Sequence, residues 1–375
     1  MKFIHLADLH LGKIIYQRSL IEIQADLLNQ VMNYMNKNDI HTLVMAGDIY
    51  DRAIASQESI AVLNDFLDQM INVYHHQVLM ITGNHDSSER LNFGSSLLKS
   101  QGLYIASYPQ KQLQPIEIED VNFYLVPFFK PSYMRYLYQN DDLKTYQDAF
   151  SYYLQQQYFD TSKPCVLVTH QFFAGNQDVI RSESEVTLTV GGSEIIDVDL
   201  LEHFDYVALG HLHASQKVKY DHVRYAGSLM KYSFDEVNQK KGMVEVTIDE
   251  NGVLTQIIPL KPQKDFVKLK GRFEDVMHYE DNQQDFISIE LLDKQIVGHA
   301  FERLKEKFPD LLQITYALLD NLSTHQKTAA TEIEKQTPVE LFIEFYEKMK
   351  GEKPILEEID IVEKLLKEDD EHDAT

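Results

Sequence analysis

Cysteine and tryptophan are almost missing from this sequence: its 375 residues include one cysteine, Cys165, and no tryptophan. A single thiol excludes an intramolecular disulfide framework of the kind that small secreted proteins use. The apolar runs are of strand length, far short of the ~20 residues needed to span a bilayer. Met1 leads directly into one of these runs without the apolar core of a signal peptide. These absences predict a cytoplasmic location and no membrane association.

Basic residues are also scarce, with 35 Lys and Arg against 59 Asp and Glu and a formal net charge of −24. A protein that binds nucleic acid unaided usually carries a basic footprint. Two explanations keep nucleic acid as a possible ligand: bound divalent cations offset part of the charge, or a partner subunit supplies the basic surface. The simpler explanation is that the acidic excess keeps the protein soluble. All three stay open at this point.

The length suggests two or three domains rather than one core. Apolar spacing predicts a strand at the start of the chain, a helix over residues 14–38 and a strand from residue 42. Ser56 is expected to cap a second helix, which runs to about residue 73 and is followed by a strand over residues 78–82. This alternation of strands and helices predicts a layered α/β domain with a parallel sheet portion.

The second half of the chain has a different pattern. Short strands predicted over residues 216–220, 222–226, 242–248 and 254–260 suggest an antiparallel second sheet. Strands and helices then alternate from residue 266 to 319, and two amphipathic helices follow a polar linker. Their apolar stripes need cover, either from the rest of the chain or from a partner. We predict a catalytic domain (1–261), an α+β domain (262–322), a linker (323–337), a helical tail (338–368) and a disordered acidic end (369–375).

Five predicted strands end directly in residues that can bind metals. Because the carboxyl ends of strands in one sheet lie on a common rim, these endings can converge. Taken singly, each residue is more simply a turn residue, a helix cap or a surface group. Their joint occurrence favours a metal cluster, formed by Asp8 and His10; Asp48; Asn84, His85 and Asp86; His170; and His211 and His213.

The ligand types restrict the chemistry. Imidazole, carboxylate and amide groups suit manganese, iron or zinc ions rather than a thiolate-bound metal. Two such ions ~3.5–4 Å apart need a bridging carboxylate, for which Asp48 is placed, and they favour in-line displacement at phosphorus. His85, beside Asn84, is placed to stabilise or protonate the leaving oxygen, and Asp86 to orient its ring.

The segments that carry these residues resemble those of a known family. The segments Asp8-Leu9-His10, Gly47-Asp48, Gly83-Asn84-His85-Asp86, His170 and Gly210-His211-Leu212-His213 resemble the motif set of the calcineurin-like metallophosphoesterases. Residues 5–12, 47–52 and 83–87 resemble, more narrowly, the bacterial SbcD family of exonuclease subunits. The resemblance covers residues 1 to about 260. The later segments match in layout only.

The resemblance implies a metallophosphoesterase sandwich of two mixed sheets flanked by helices, with a small α+β domain capping the DNA groove and C-terminal helices. It implies that Asp8, His10 and His213 hold one metal ion, that Asn84, His170 and His211 hold a second, and that Asp48 bridges them. His85 would act on the scissile phosphate or the leaving group. The ions implied are two Mn²⁺.

The resemblance also implies partners. These are DNA duplex ends and hairpins, a second copy of the chain, and an SbcC-type ATPase whose coiled coil receives the tail helices, giving a heterotetramer. The predicted function is that of the nuclease subunit of an ATP-dependent DNA repair complex, with exonuclease activity at duplex ends and endonuclease activity on single strands and hairpins.

Two other functions remain open. A small-molecule phosphodiesterase or phosphatase of the same superfamily could use the same cluster, because the metals alone do not select the substrate. The predicted α+β domain and tail helices argue against it. A non-catalytic subunit that tethers DNA ends could bind metal without turnover, but such a scaffold has no need of His85.

Overall fold

The structure is a computed structural model that describes residues 1–175, 179–185, 194–280 and 285–317, with Tyr346, Pro354 and Ile359. The predicted linker (323–337) and acidic end (369–375) lie outside the described residues, as does the helical tail (338–368) apart from those three residues. Among the described helices, none combines the length and the apolar character that crossing a membrane requires.

The strands in the described part of the chain are short, as is usual for an α/β protein. They are β1 (Lys2–Leu6), β2 (Ile14–Ile15), β3 (Arg18–Ser19), β4 (Thr42–Ala46), β5 (Gln77–Ile81), β6 (Leu103–Ala106), β7 (Ile116–Ile118), β8 (Val121–Val126), β9 (Cys165–His170), β10 (Phe173–Ala174), β11 (Ile196–Asp197), β12 (Tyr206–Gly210), β13 (Gln216–Val218), β14 (Tyr220–Tyr225), β15 (Gly242–Asp249), β16 (Gly252–Pro259), β17 (Phe266–Gly271), β18 (Phe286–Leu291) and β19 (Leu311–Tyr316).

The α-helices alternate with these strands. They are α1 (Ile21–Lys37), α2 (Gln57–Asp68), α3 (Ser88–Asn92), α4 (Ser95–Leu98), α5 (Pro131–Tyr138), α6 (Tyr146–Gln155), α7 (Phe273–Met277) and α8 (Ala300–Lys307). A π-helical turn at Gln69–Val73 continues α2, and 3-10 helices lie at Lys99–Gln101, Val198–Leu201 and Phe234–Asn238.

Two mixed six-stranded sheets form the body of the protein. The first has the order β16-β15-β1-β4-β5-β6 and the second β13-β14-β12-β9-β8-β7. Strands β1, β4, β5 and β6 are parallel, and so are β14, β12, β9 and β8. Buried side chains of both sheets share one core, including Phe3, Val44 and Leu79 from the first and Phe123 and Val166 from the second. The predicted sandwich of two mixed sheets is therefore confirmed.

Helices cover the outer face of the second sheet. The side chains of Tyr124, Leu167 and Val207 form a second core with Phe150 and Tyr153 of α6. Strands β8, β9 and β12 are therefore buried on both faces, which explains why their sequences are nearly continuous apolar runs.

The predicted antiparallel second sheet is wrong. Strand β15 pairs antiparallel with β1, with His5 opposite Val244, and so belongs to the first sheet. Strand β14 pairs parallel with β12, with Val207 opposite Val223, in the second sheet. Neighbouring strands in the sequence thus go to different sheets, because their partners lie far away along the chain.

The first helix begins later than its apolar spacing predicts. Residues 14–19 form a small hairpin of β2 and β3 instead. At its turn Tyr16 and Gln17 have φ values of 47° and 66°, which an α-helix does not accept. The second helix is as predicted, since the Ser56 side chain accepts a hydrogen bond from the Ser59 N–H at its start.

The chain divides into two compact units, Met1–Lys268 with Asn282–Ile287 and Leu269–Asp281 with Ser288–Thr375. Residues 266–316 carry the sheet β17-β18-β19 and helices α7 and α8, in the predicted order of strand, helix, strand, helix, strand. Within the described residues, every group of potential metal ligands lies in the first unit.

Candidate metal centre

The carboxyl ends of five parallel strands from both sheets meet at one place. Three strands come from the first sheet and two from the second. Each strand ends in, or is closely followed by, polar residues that lie at this place. They are Asp8 and His10 after β1, Asp48 after β4, Asn84 after β5, His170 at the end of β9, and His211 and His213 after β12.

One half of the cluster consists of Asp8, His10 and His213, which are all buried. One ligand atom from each lies within 4.8 Å of the others. His10 Nε2 and His213 Nε2 are 3.1 Å apart. The Asp8 carboxylate also accepts a hydrogen bond from the His211 backbone N–H at 2.9 Å, which holds the loop after β12 in place.

The other half is built around the Asn84 side chain. Its Oδ1 atom lies 3.0 Å from His170 Nε2 and 3.1 Å from His211 Nδ1. The second nitrogen of His170, Nδ1, donates to the Ala46 carbonyl at 2.8 Å. A carbonyl oxygen can only accept, so this bond fixes the ring and directs Nε2 into the cluster.

Asp48 lies between the two halves. Its Oδ2 atom is 3.6 Å from His10 Nε2 and 3.3 Å from His170 Nε2. Its Oδ1 atom accepts a hydrogen bond from the His85 backbone N–H at 2.9 Å. One carboxylate therefore touches a residue of each half and also positions the loop that carries His85.

The electrostatics of the cluster fit a divalent cation. Burial raises the pKa of Asp8 well above its ordinary value. Burial lowers the pKa of His211 to about 3 and of His213 to about 4, so both rings are neutral with lone pairs available. Asp48 stays ionised, because the charge and hydrogen bond of His170 outweigh burial and hold its pKa well below the usual range. Several acceptors thus converge, and a cation satisfies them.

The backbone at these residues is strained. Asp8, His10 and Asp48 have φ values of 50°, 45° and 50°, and His211 has 111°. Residues other than glycine seldom adopt positive φ, and such strain persists only where the surrounding structure imposes it. The short turns that follow the strands therefore aim the side chains at one another at a cost in backbone energy.

Gly83 leaves space that the cluster needs. A Cβ atom at this position would overlap both the Oδ1 and the backbone nitrogen of Asp48. We expect Gly83→Ala to displace Asp48, to destabilise the protein by about 1–3 kcal/mol and to weaken metal binding. Urea unfolding and metal titration would measure both effects. Gly298→Ala is the control, because its Cβ would meet no atom within 4 Å; equal losses in the two variants would contradict the argument.

His85 stands at the open side of the cluster. It and Asn84 are half-buried, whereas the other residues of both halves are buried. Its Nδ1 atom donates to the Asp51 carbonyl at 2.9 Å, which leaves Nε2 for a substrate. Its ring meets that of His10 edge to face, with centroids 4.7 Å apart.

Asp86 does not orient the His85 ring, so that prediction is wrong. Its carboxylate accepts hydrogen bonds from the backbone N–H groups of Ile49, Tyr50 and Gly83, at 3.1, 2.9 and 2.9 Å. Burial raises its pKa to about 6, although these bonds oppose the shift. Asp86 ties the loop after β5 to the loop after β4.

The structural role of Asp86 can be tested. In Asp86→Asn the side-chain NH₂ group would face at least one of the three N–H donors and leave that donor without an acceptor. We therefore expect a loss of about 2–4 kcal/mol in the free energy of unfolding. Asp221→Asn is the control, since the Asp221 side chain is 91% exposed in its ion pair with Lys217 and its loss should leave the urea midpoint nearly unchanged. If Asp86→Asn unfolds at the same urea concentration as the control, the three bonds do not stabilise the fold.

Other residues that support the cluster were not predicted. The fully buried Glu236 carboxylate lies 3.3 Å from His213 Nδ1 and 2.7 Å from the Lys241 ammonium. Ser184 Oγ lies 2.7 Å from the same His213 nitrogen, and Glu185 accepts from the His213 backbone N–H. These residues orient His213 from behind. No local pattern marks them, because each sits far from His213 in the sequence.

His170 makes the metal-free protein sensitive to pH. Burial alone lowers its pKa, but the carboxylates of Asp48 and Asp8 and the hydrogen bond to Ala46 outweigh burial and raise it to about 9. Between pH 6.5 and 9 the folded chain therefore holds a proton that the unfolded chain releases. This contribution is full below pH 6.5 and is lost as the pH rises to 9.

We expect the stability of the chain in chelator to fall by up to about 3 kcal/mol over this window relative to His170→Gln. Metal affinity should rise over the same window, because binding displaces the proton. Urea unfolding and manganese titration at several pH values measure the two slopes. Identical pH profiles for wild type and His170→Gln would contradict the assignment.

Comparison with known proteins places this arrangement in a family. The calcineurin-like phosphoesterase pattern matches residues 1–215, and the C-terminal pattern SbcD_C, described as the type 5 capsule protein repressor C-terminal domain, matches residues 262–350. The SbcD subunit of the SbcCD nuclease of Staphylococcus epidermidis is 32% identical over 93% of this chain and 93% of its own length. That of Staphylococcus saprophyticus is 32% identical over 98% of both chains. The chain belongs to the SbcD family of calcineurin-like phosphoesterases.

Membership of this family confirms the resemblance drawn from the motifs and agrees with a centre for divalent metals. Among solved structures, a dimetal phosphatase from Danio rerio aligns with a TM-score of 0.40 and 12% identity, covering 68% of this chain and 98% of its own. A likeness at that level carries no weight for the site.

Proposed function

We propose that this chain is the nuclease subunit of an SbcCD-type DNA repair complex and hydrolyses DNA phosphodiesters at a two-metal centre. The observation that carries the proposal is the pair of ligand groups joined by Asp48, with the half-exposed His85 beside them. Relatives that align over nearly the whole chain are named as the SbcD subunit of the SbcCD nuclease.

In this proposal Asp8, His10 and His213 would hold one ion, Asn84, His170 and His211 would hold the other, and Asp48 would be shared by both. The nitrogen and oxygen donors suit Mn²⁺, and no thiol is among them. When bound, two divalent ions help to activate the attacking water and neutralise charge on the phosphoryl oxygens.

The chain's own residues supply the rest of the chemistry. The bond from Nδ1 to the Asp51 carbonyl holds the His85 ring at the open side of the cluster, so its other nitrogen can face the leaving oxygen. There it donates a proton as the phosphorus–oxygen bond breaks. The bond from the Asp48 carboxylate to the His85 N–H keeps this loop in register with the bridging residue.

The partners follow from the same proposal. DNA duplex ends and hairpins are the substrates, and an SbcC-type ATPase supplies basic surface that a chain of net charge −24 lacks. Residues 262–322 cap the DNA, and the tail at residues 338–368 docks on the coiled coil of the ATPase. Exposed apolar side chains of the first unit, Ile60 at 48%, Phe93 at 89% and Leu97 at 77%, support a homodimer and hence a heterotetramer with the ATPase. A cytoplasmic location remains our inference from the single, buried thiol.

A substrate comparison tests the proposal. The purified chain is incubated with Mn²⁺ and either end-labelled linear duplex DNA or a chromogenic small phosphodiester, alone and with its ATPase partner. We expect manganese-dependent cleavage of the DNA that ATP enhances when the partner is present. Brisk hydrolysis of the small ester without DNA cleavage would establish the small-molecule alternative, and DNA binding without hydrolysis of either substrate the tethering alternative.

A further inference from the structure

Two histidines that the nuclease mechanism does not use lie together at the far end of the first sheet. His41 directly precedes β4 and His76 directly precedes β5, and these strands are parallel neighbours with Thr42 opposite Gln77. The Gln77 N–H donates to the His41 carbonyl at 2.8 Å. The amino ends of these strands thus carry the histidine pair, whereas their carboxyl ends carry the metal centre.

The ring nitrogens of the pair are arranged as metal ligands are. His41 Nδ1 and His76 Nδ1 are 3.3 Å apart. On the other side of each ring, His41 Nε2 is 3.0 Å from the Asp39 carboxylate and His76 Nε2 is 2.8 Å from the Asn36 side-chain oxygen. Both of these oxygens are acceptors, so each Nε2 carries the hydrogen. With the hydrogen on Nε2, each ring directs the lone pair of its Nδ1 atom toward the other ring.

Two facing lone pairs repel each other unless a proton or a metal cation lies between them. Two nitrogens bound to one zinc ion in tetrahedral geometry, each at about 2.0–2.1 Å, are separated by about 3.3–3.4 Å. The observed separation matches this value. The outer hydrogen bonds to Asp39 and Asn36 are of the type that fixes the tautomer and orientation of metal-bound histidines.

The surrounding residues restrain the His76 ring, whereas the His41 ring is accessible to solvent. His76 is buried, and its ring stacks on that of Tyr74 with centroids 6.0 Å apart and an interplanar angle of 19°. The His76 backbone N–H donates to the Met70 carbonyl at 2.8 Å. Burial, with further contributions from His41 and His75, lowers the pKa of His76, so the ring is neutral at pH 7 as a ligand must be. The His41 side chain is 51% exposed and gives an ion a path from solvent.

We propose that His41 and His76 bind one divalent transition-metal ion, such as Zn²⁺, through their Nδ1 atoms at a site separate from the nuclease centre. Water on the exposed His41 side completes the coordination. The ion would clamp the segment that enters β4 to the segment that enters β5.

Counting bound metal tests this site. The full-length chain and its variants are dialysed to equilibrium against Zn²⁺, and the number of zinc ions per chain is measured by elemental mass spectrometry. We expect His41→Ala to hold one zinc ion fewer per chain than wild type. His203→Ala, which removes another exposed histidine, should keep the wild-type count. His41→Cys should restore the lost ion, because a thiolate also binds zinc.

Manganese-dependent DNA cleavage separates this site from the nuclease centre. His41 lies outside that centre, so His41→Ala should lose its zinc ion with unchanged cleavage. Equal zinc counts in wild type and His41→Ala would overturn the proposal. So would a parallel loss of zinc and cleavage, because the missing ion would then belong to the nuclease centre, or an equal loss in His203→Ala.

Discussion

Replacing Asp48 by alanine is expected to reduce manganese-dependent DNA cleavage by about 10³-fold or more. The Asp48 carboxylate lies within 3.6 Å of His10 and 3.3 Å of His170, so it touches both halves of the proposed two-metal centre. Without it neither ion keeps its shared ligand, and the loop that carries His85 loses a backbone hydrogen bond. Cleavage of end-labelled duplex DNA over a range of Mn²⁺ concentrations measures the loss.

Two controls make this result specific. Asp221→Ala removes an exposed carboxylate that pairs with Lys217 and is not a cluster residue, so this variant should cleave DNA like the wild type. Urea unfolding in chelator must show that Asp48→Ala is still folded at the assay temperature. If the folded variant cuts DNA at a rate within about tenfold of wild type, Asp48 does not bridge two essential ions.

Replacing His85 by alanine should separate metal binding from cleavage. We expect cleavage of DNA to fall by about 10²–10⁴-fold, the usual effect of losing a general acid, while two Mn²⁺ ions still bind per chain. The reason is that the Asp51 carbonyl holds the His85 ring at the edge of the cluster, whereas the proposed ligands of both ions are other residues. Manganese titration and single-turnover cleavage measure the two properties.

The leaving group decides which role His85 has. A nitrophenolate leaves without a proton, so His85→Ala should lose much less activity on a nitrophenyl phosphodiester than on DNA. An equal loss on both substrates would mean that His85 positions the phosphate instead of protonating the leaving oxygen. Full activity on DNA would remove it from the mechanism.

Much of the cluster could be predicted because each ligand follows an apolar strand with few residues between. Asp8, Asp48 and His170 lie at or just after strand ends, and parallel strands bring such ends to one rim. The same local logic failed for Asp86. It is adjacent to His85 in sequence, but its carboxylate turns toward the backbone of Ile49 and Tyr50. Sequence adjacency in a turn does not determine where a side chain points.

Long-range pairing and supporting residues could not be predicted. Nothing in the local pattern of β15 indicates that it pairs with β1, since strand pairing depends on side chains from distant segments. The buried pair of Glu236 and Lys241 behind His213 likewise has no periodic or motif signal. The roles of individual site residues and the domain boundaries stay predictions that the proposed experiments test.

The pairing of β1 with β15 determines how late in translation β1 can acquire both of its neighbouring strands. Strand β1, made first, lies between β4 and β15, and the Met1 ammonium donates to the Ile248 carbonyl at 2.9 Å. A ribosome therefore releases about two thirds of the chain before the opening strand can acquire its second neighbour, and His213 emerges only shortly before. Until then one edge of β1 is exposed to other growing chains. Until residue 213 has been made the cluster lacks His211 and His213, so the metal centre cannot assemble on a shorter nascent chain.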